Sequence, residues 1–310
     1  MTEKVTAFLN SLKKEGINSK TRENVSMKEH TTFKTGGECT LAIFPETAEE
    51  LEKIVTLAKE NSLPFYVVGK GSNLLVSDEG YWGLIIFTHR LDKITFNGDE
   101  VYAEAGVSLT ALAKEAGQRG LHGLEFACGI PGSVGGAVYM NAGAYDGEMK
   151  DVVVSSDYYS PTFSFGTLTG EEQNFSYRSS AYMNSDKIIL GCKIKLEYGN
   201  KDEILSRQKE LMAKRREKQP LEFGSAGSTF KRYPGRYTGQ MIEEAGLKGF
   251  GVGDACVSEK HAGFIINKGN ATSKDVLEVI REVRKKVYEK EGIELVCEVR
   301  YLSPKGEEII

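Results

Sequence analysis

Between Ile130 and Tyr145 the chain reads IPGSVGGAVYMNAGAY, setting Gly132, Gly135, Gly136 and Gly143 among Ser133, Ala137, Ala142 and Ala144. Glycine inside ordered structure costs roughly 0.5–1 kcal/mol relative to alanine, so the cluster implies that something lies against bare backbone. Ile130, Val134, Val138 and Met140 thread apolar residues through it and argue against a slack linker. Pro131 can open a helical turn, after which free amides would face an anion such as a phosphate. A tight helix-on-sheet contact explains the same letters, and local chemistry does not separate the two.

A second glycine site, VVGKGSNLLV, occupies 67–76. Gly69-x-Gly71 starts like a dinucleotide fingerprint, but the third glycine is missing and LLV reads as a strand where a helix is required. Its amides, with Ser72 and Asn73, can form an anion-binding nest. A structural hairpin is the alternative, since Gly and Asn dominate such turns. Two such loops in one domain favour a nucleotide cofactor carrying a pyrophosphate.

Metal chemistry has no support in the letters. The five cysteines (Cys39, Cys128, Cys192, Cys256, Cys297) form no C-x-x-C, and the four histidines (His30, His89, His122, His261) form no H-x-x-x-H. That pattern reads as reduced thiols in the cytoplasm. The N-terminal MTEKVTAFLNSLKKEG lacks a signal-peptide core, and no apolar run approaches a membrane span. A net charge of −4 gives no reason to expect nucleic acid. With 310 residues, 40% of them apolar, the chain can bury a large core without disulfide or metal staples. These features describe a soluble cytoplasmic protein, expected to be a monomer, with no membrane partner.

The elements that position the loops alternate in type. Thr47-Ala-Glu-Glu50 is a capping box ahead of a helix with Leu51, Ile54, Val55 and Ala58 on one face. PFYVV (64–68), LLV, CTLAIF (39–44), GLIIF (83–87), VYAEA (101–105), DVVVSS (151–156) and KIILGCKIKLEY (187–198) read as strands. A second helix begins at Ser108. Beyond residue 200 come a polar helix ending in KRREK (214–218), a small-residue loop GSAGS (224–228), a long helix from Ser273 to Glu291 and a final strand IELVCEVRYL (293–302). The fold class is α+β, and a boundary is expected near residue 200.

In order along the chain stand HTTFKTGG (30–37), GKGSNLLV (69–76), GLEFACGIPGSVGGAVYMNAGAY (123–145), YRSSAY (177–182), GSAGSTFK (224–231) and KHAGFIIN (260–267). This ordered set resembles the UDP-N-acetylenolpyruvoylglucosamine reductase (MurB) family, flavoenzymes of peptidoglycan synthesis, from about residue 25 to 302. The short interval between YRSSAY and GSAGS is similar to the family's second type. The resemblance implies an FAD-binding unit of the vanillyl-alcohol-oxidase type in two subdomains (1–88 and 89–200), then a substrate-binding domain (201–310). It implies noncovalent FAD, reduced by NADPH, and hydride transfer to the methylene carbon of an enolpyruvyl ether on a UDP-sugar. Covalent attachment through His122 is disfavoured, because the likeness is to the noncovalent branch.

On that reading Val68, Gly69, Lys70, Gly71, Ser72, Asn73 and Leu74 hold FAD from one side. Gly129, Ile130, Pro131, Gly132, Ser133, Gly135 and Gly136 do so from another, and Asn141, Gly143 and Ala144 follow them. Hydride addition leaves charge that delocalises into the substrate carboxylate, so the enzyme must stabilise an enediolate-like species and protonate its carbon. Arg178 matches the family's arginine for the carboxylate, Ser228 its proton donor and Glu298 its active-site glutamate. Glu298 is expected to be protonated or tightly hydrogen-bonded, with its pKa raised, since a carboxylate would repel the dianion. Tyr145 and Tyr177 are placed with the substrate, and Lys231 is the candidate that eases proton loss from Ser228. By pattern alone, Arg178 and Glu298 read as surface ion pairs and Ser228 as part of a flexible loop. The KRREK run suits either the UDP diphosphate or a solvated helix end. Pro234 stands one residue later than in the family pattern, which keeps Ser228 and Lys231 in register but leaves Arg232 without an assigned contact. The hairpin-like 158–172 is given no function. Two rivals stay open: another FAD oxidoreductase of the same fold, and a nucleotide-binding module without catalysis.

Overall fold

Thr47 is the helix cap foreseen from its spacing: its hydroxyl accepts the Glu50 amide at 3.1 Å. Glu50 reaches back one residue further than a capping box requires, taking the Glu46 amide at 2.9 Å. The computed structural model describes residues 2–310. Its helices are α1 (Thr2–Lys14), α2 (Ala48–Glu60), α3 (Leu109–Gln118), α4 (Val134–Tyr139), α5 (Lys201–Lys218), α6 (Thr238–Glu244) and α7 (Ser273–Glu291). None among the described residues is long and apolar enough to cross a membrane.

The chain forms two compact units, each built from separated segments. The first takes the residues up to Arg22, then Ala42–Lys70 and Leu84–Arg215. Its main sheet runs in the spatial order Ser164–Thr169, Val153–Ser160, Ile188–Lys195, Glu100–Glu104, Ile94–Asn97, all antiparallel. The 158–172 region makes the expected hairpin, in register from Ser155↔Thr169 to Ser160↔Ser164. Phe65–Val68 pairs in parallel with Leu84–Phe87. The core of this unit gathers Val101, Leu109, Leu112, Val134, Val138, Cys192 and Ile194.

The second unit takes Glu23–Leu41, Gly71–Gly83 and Arg216–Ile310. Thr272 caps α7 reciprocally with Asp275, and Gly292 ends it in the left-handed region at φ +65°. The buried stripe Val276, Val279, Ile280, Val283 and Val287 packs with Ala255, Val257 and Ile265 of a small antiparallel sheet. A second sheet places Leu74–Val76 parallel to Arg300–Leu302. The expected ten-residue last strand is shorter: Arg300–Ser303 is regular, and before it only an isolated bridge, Phe230↔Cys297, forms. Along this stretch Leu295 and Val299 are inside and Val296 is outside.

Candidate active site

The first unit carries the glycine cluster, and most of those glycines face protein. A Cβ on Gly135 would lie 2.8 Å from Ala105 Cβ, one on Gly129 2.8 Å from Arg215 Cδ, and one on Gly143 2.7 Å from Glu148 Cβ. Most of the amides after Pro131 have protein acceptors, and that of Ser133 has none among the described residues. Gly132 donates to Ile130 O, Val134 to Val107 O and Gly135 to Ala105 O, while Gly136 donates to Ser133 Oγ at 3.4 Å. Packing against distant chain has used two of these donors, those of Val134 and Gly135. Gly136 is different, being exposed with Ser133 Oγ, at 3.4 Å, as its only near neighbour. Gly69 is tied to this turn, because a side chain there would strike Ser133 Oγ at 2.3 Å.

Asn141 does not line a cleft. It is fully buried, its carboxamide donating to Glu148 Oε2 and Ser176 O and accepting from the Lys150 amide. It braces the turn that presents Arg178. That turn is a tight hairpin closed by reciprocal bonds between Ser176 and Ser179. Arg178 sits at φ +53°, lays its guanidinium 5.0 Å from the Tyr177 ring centroid and donates to Gly143 O at 3.1 Å. Tyr145, at φ +57°, donates its hydroxyl to Leu211 O on α5. Non-glycine residues in this region each cost about 1–3 kcal/mol and gather where function holds them. In the KRREK run, Lys214 pairs with Glu210, and burial pushes the Arg215 pKa down, opposed by Tyr145 and Cys128.

The second unit brings four of the sequence motifs together. Gly71 is left-handed at φ +59°, and a Cβ on it would lie 2.2 Å from His30 O. Thr32 N donates to Gly71 O, while Thr32 and Ser225 exchange bonds: Oγ1 to Ser225 O at 2.6 Å, and Ser225 N to Thr32 O at 3.1 Å. Past Gly227, Ser228 is exposed, and its neighbour Thr229 is fully buried, donating to Gly263 O and accepting from the Ile265 amide. The Glu298 amide donates to Thr229 O at 2.8 Å, and Lys231 N donates to Val296 O at 2.8 Å. The Ser228 hydroxyl and the Lys231 ammonium make no hydrogen bond to each other; neither side chain has a partner among the described residues. Arg232 stacks on Tyr237 at 4.3 Å.

Sequence reasoning missed two residues that hold this half together. Thr32 gave no signal beyond lying in HTTFKTGG. Asn267, closing KHAGFIIN, donates to Phe33 O and accepts the Gly269 and Ala271 amides. Only contacts across 193 residues for Thr32 and 234 for Asn267 reveal their roles.

Residues 219–302 match the model of the UDP-N-acetylenolpyruvoylglucosamine reductase C-terminal domain, and residues 40–162 that of an FAD binding domain. A UDP-N-acetylenolpyruvoylglucosamine reductase of Clostridium botulinum (strain Eklund 17B / Type B) is 46% identical, over 91% of this chain and 93% of its own. The chain belongs to this reductase family. The enzyme so named from Caldanaerobacter subterraneus subsp. tengcongensis is 45% identical over 98% of this chain and all of its own length. The crystal structure of the MurB reductase from Thermus caldophilus superposes with a TM-score of 0.78 at 37% identity, covering 92% of this chain and 98% of that one.

FAD is the family cofactor, and the residues of this chain suit it at the second glycine loop. The amides of Gly71 and Ser72 donate to no protein acceptor among the described residues, and the left-handed Gly71 gives the turn of an anion nest. With Gly136 bare on α4, the first unit also keeps one place where a flat ring can approach the backbone.

Proposed function

We propose that Arg178, Ser228 and Glu298 carry the reductase chemistry that the family activity requires. The enzyme reduces the enolpyruvyl ether of UDP-N-acetylglucosamine enolpyruvate to UDP-N-acetylmuramate, with NADPH as the reductant. When bound, FAD would supply the hydride that NADPH provides, and the Gly71–Ser72 turn would hold it. Arg178 grips the substrate carboxylate through two N–H donors and binds harder as charge develops there. Ser228 gives its proton to the carbon next to that carboxylate, and Lys231 favours the alkoxide so formed. Glu298 stabilises the enediolate as a neutral or hydrogen-bonded acid. Tyr145 and Tyr177 contact the substrate beside Arg178.

One observation carries the assignment in the second unit: the Glu298 amide bonds to the carbonyl next to Ser228, 2.8 Å away. An exposed, unpartnered serine and a half-buried glutamate thereby lie on adjacent, hydrogen-bonded segments. The same proposal divides the chain into FAD-binding subdomains 1–88 and 89–200 and a substrate domain 201–310. It also takes the enzyme as a cytoplasmic monomer, which analytical ultracentrifugation checks.

The test is an anaerobic flavin spectrum. NADPH bleaches the oxidised bands and the UDP-linked enolpyruvyl sugar restores them; in Ser228→Ala the second step is lost and the first is kept. Restoration by oxygen alone points to another oxidoreductase, and a protein that takes no FAD points to a module without catalysis.

A further inference from the structure

Asn73 opens the strand Leu74–Val76, and its side chain is turned to a peptide 225 residues away. Nδ2 donates to the Glu298 carbonyl at 3.0 Å, and the Asn73 carbonyl accepts the Arg300 amide at 3.1 Å. Across the other edge, the Glu298 amide goes to Thr229 O. The glutamate's peptide is therefore held from both sides.

The side-chain bond lies where the regular ladder ends. The parallel ladder pairs Arg300 with Leu74, so continuing it backwards would set Glu298 beside Ser72. The chain has left the strand at Ser72, one residue after the left-handed turn at Gly71. At this end of the ladder the Asn73 carboxamide is bonded to the Glu298 carbonyl and extends the link between the two segments. The turn beside it is the one whose Gly71 and Ser72 amides suit a dinucleotide phosphate.

We infer that Asn73 is a positioning residue for Glu298, fixing the glutamate's peptide to the cofactor loop. This rests on the catalytic reading of Glu298 given above. Asn73 thus acts on the substrate half of the reaction, through Glu298, and its carboxamide is not a ligand of FAD. Alanine removes this bond and frees the peptide at Glu298; misplacement of a catalytic group by about 1 Å is worth on the order of a hundredfold in rate.

The experiment is a double-mutant cycle on the flavin-loaded enzyme, with Asn73→Ala, Glu298→Gln and the pair, read by anaerobic stopped flow. Two rates are measured: bleaching by NADPH and restoration by the UDP-linked enolpyruvyl sugar. Asn73→Ala is expected to slow restoration about 10- to 100-fold, with bleaching and FAD content close to those of the parent. In the Glu298→Gln background the same change is expected to add less than about twofold, because residues that act as a unit are not additive. Losses that multiply in the pair overturn the inference. So does weakened FAD binding with an unchanged restoration rate per bound flavin, which makes Asn73 a cofactor ligand. Glu298→Gln restoring at the full rate instead overturns the role of the glutamate and, with it, the positioning by Asn73. Should Asn73→Ala fail to fold, Asn73→Asp keeps the shape without the donor and completes the same cycle.

Discussion

Serine is a poor acid in water, and at Ser228 no protein hydrogen bond among the described residues has yet adjusted that. Its hydroxyl is exposed in the loop while the next residue is locked by two bonds, so the main chain is fixed and the proton is not committed. Ser228→Ala should therefore slow restoration of the flavin bands by about 10²–10⁴-fold, the usual worth of a placed acid, with NADPH bleaching unaffected. Equal losses in both steps would sink the proton-donor role. Arg178 is committed in a different way. Its backbone is held at φ +53° and one guanidinium nitrogen is tethered to Gly143 O, which leaves the fork aimed by a main-chain contact. Lysine keeps the charge and loses the paired geometry. Arg178→Lys is expected to cost about 10²–10³-fold in the substrate half-reaction, as for loss of one donor to a developing oxyanion. Single-turnover kinetics decide this, and a loss under threefold counts against carboxylate binding.

On α4 two adjacent glycines answer to different demands. A methyl on Gly135 meets Ala105 Cβ at 2.8 Å and its carbonyl at 3.2 Å, so the helix must move off the sheet. Gly135→Ala is expected to destabilise the apoprotein by about 1–3 kcal/mol, the range for overpacking. A methyl on Gly136 meets only Ser133 Oγ, at 3.4 Å. Gly136→Ala should stabilise the apoprotein by roughly 0.5–1 kcal/mol and weaken FAD, because the added methyl fills the bare place. Urea midpoints and FAD titration separate the effects; a Gly136→Ala protein that binds FAD as the parent does removes this residue from the flavin site. At α7 the cap carries a simpler expectation: Thr272→Ala loses the Asp275 amide bond and about 1 kcal/mol.

Across the molecule the titrating groups that burial perturbs most are thiols and phenols. Burial pushes the Cys39 thiol from 9.0 up to about 11 and the Cys192 thiol from 9.0 up to about 12. Tyr81 is raised from 10.0 to about 12 by the same cause. Between the unfolded and folded values the folded chain holds protons that the unfolded chain has lost, so stability falls as pH rises. The contribution of the thiols is complete below pH 9 and is lost on the way to about 11 and 12. Cys39 belongs to the second unit and Cys192 to the first, so both units weaken in alkali. A loss on the order of 2 kcal/mol per thiol is expected. Urea unfolding at pH 8 and pH 10.5 measures it, and identical midpoints would refute it.

The sequence by itself determined what depends on neighbours in the chain. The helix from Ser273 to Glu291 follows from a 3.6-residue apolar stripe between Thr272 and Gly292, and the 158–172 hairpin from a turn between two short strands. The ordered motifs also sufficed to recognise the family. What tertiary structure alone decided is where hydrogen-bonding capacity ends up. Of the amides after Pro131, those of Val134 and Gly135 are taken by Val107 and Ala105, more than twenty residues earlier, and that of Ser133 is left without an acceptor among the described residues. Asn141 looked like a cleft residue and proved a buried brace. Glu298 read as mid-strand, whereas its ladder stops at Arg300 and a distant asparagine extends the link. A residue's type and spacing set which bonds it can make, while the partner that satisfies it is chosen by chain segments that meet only on folding.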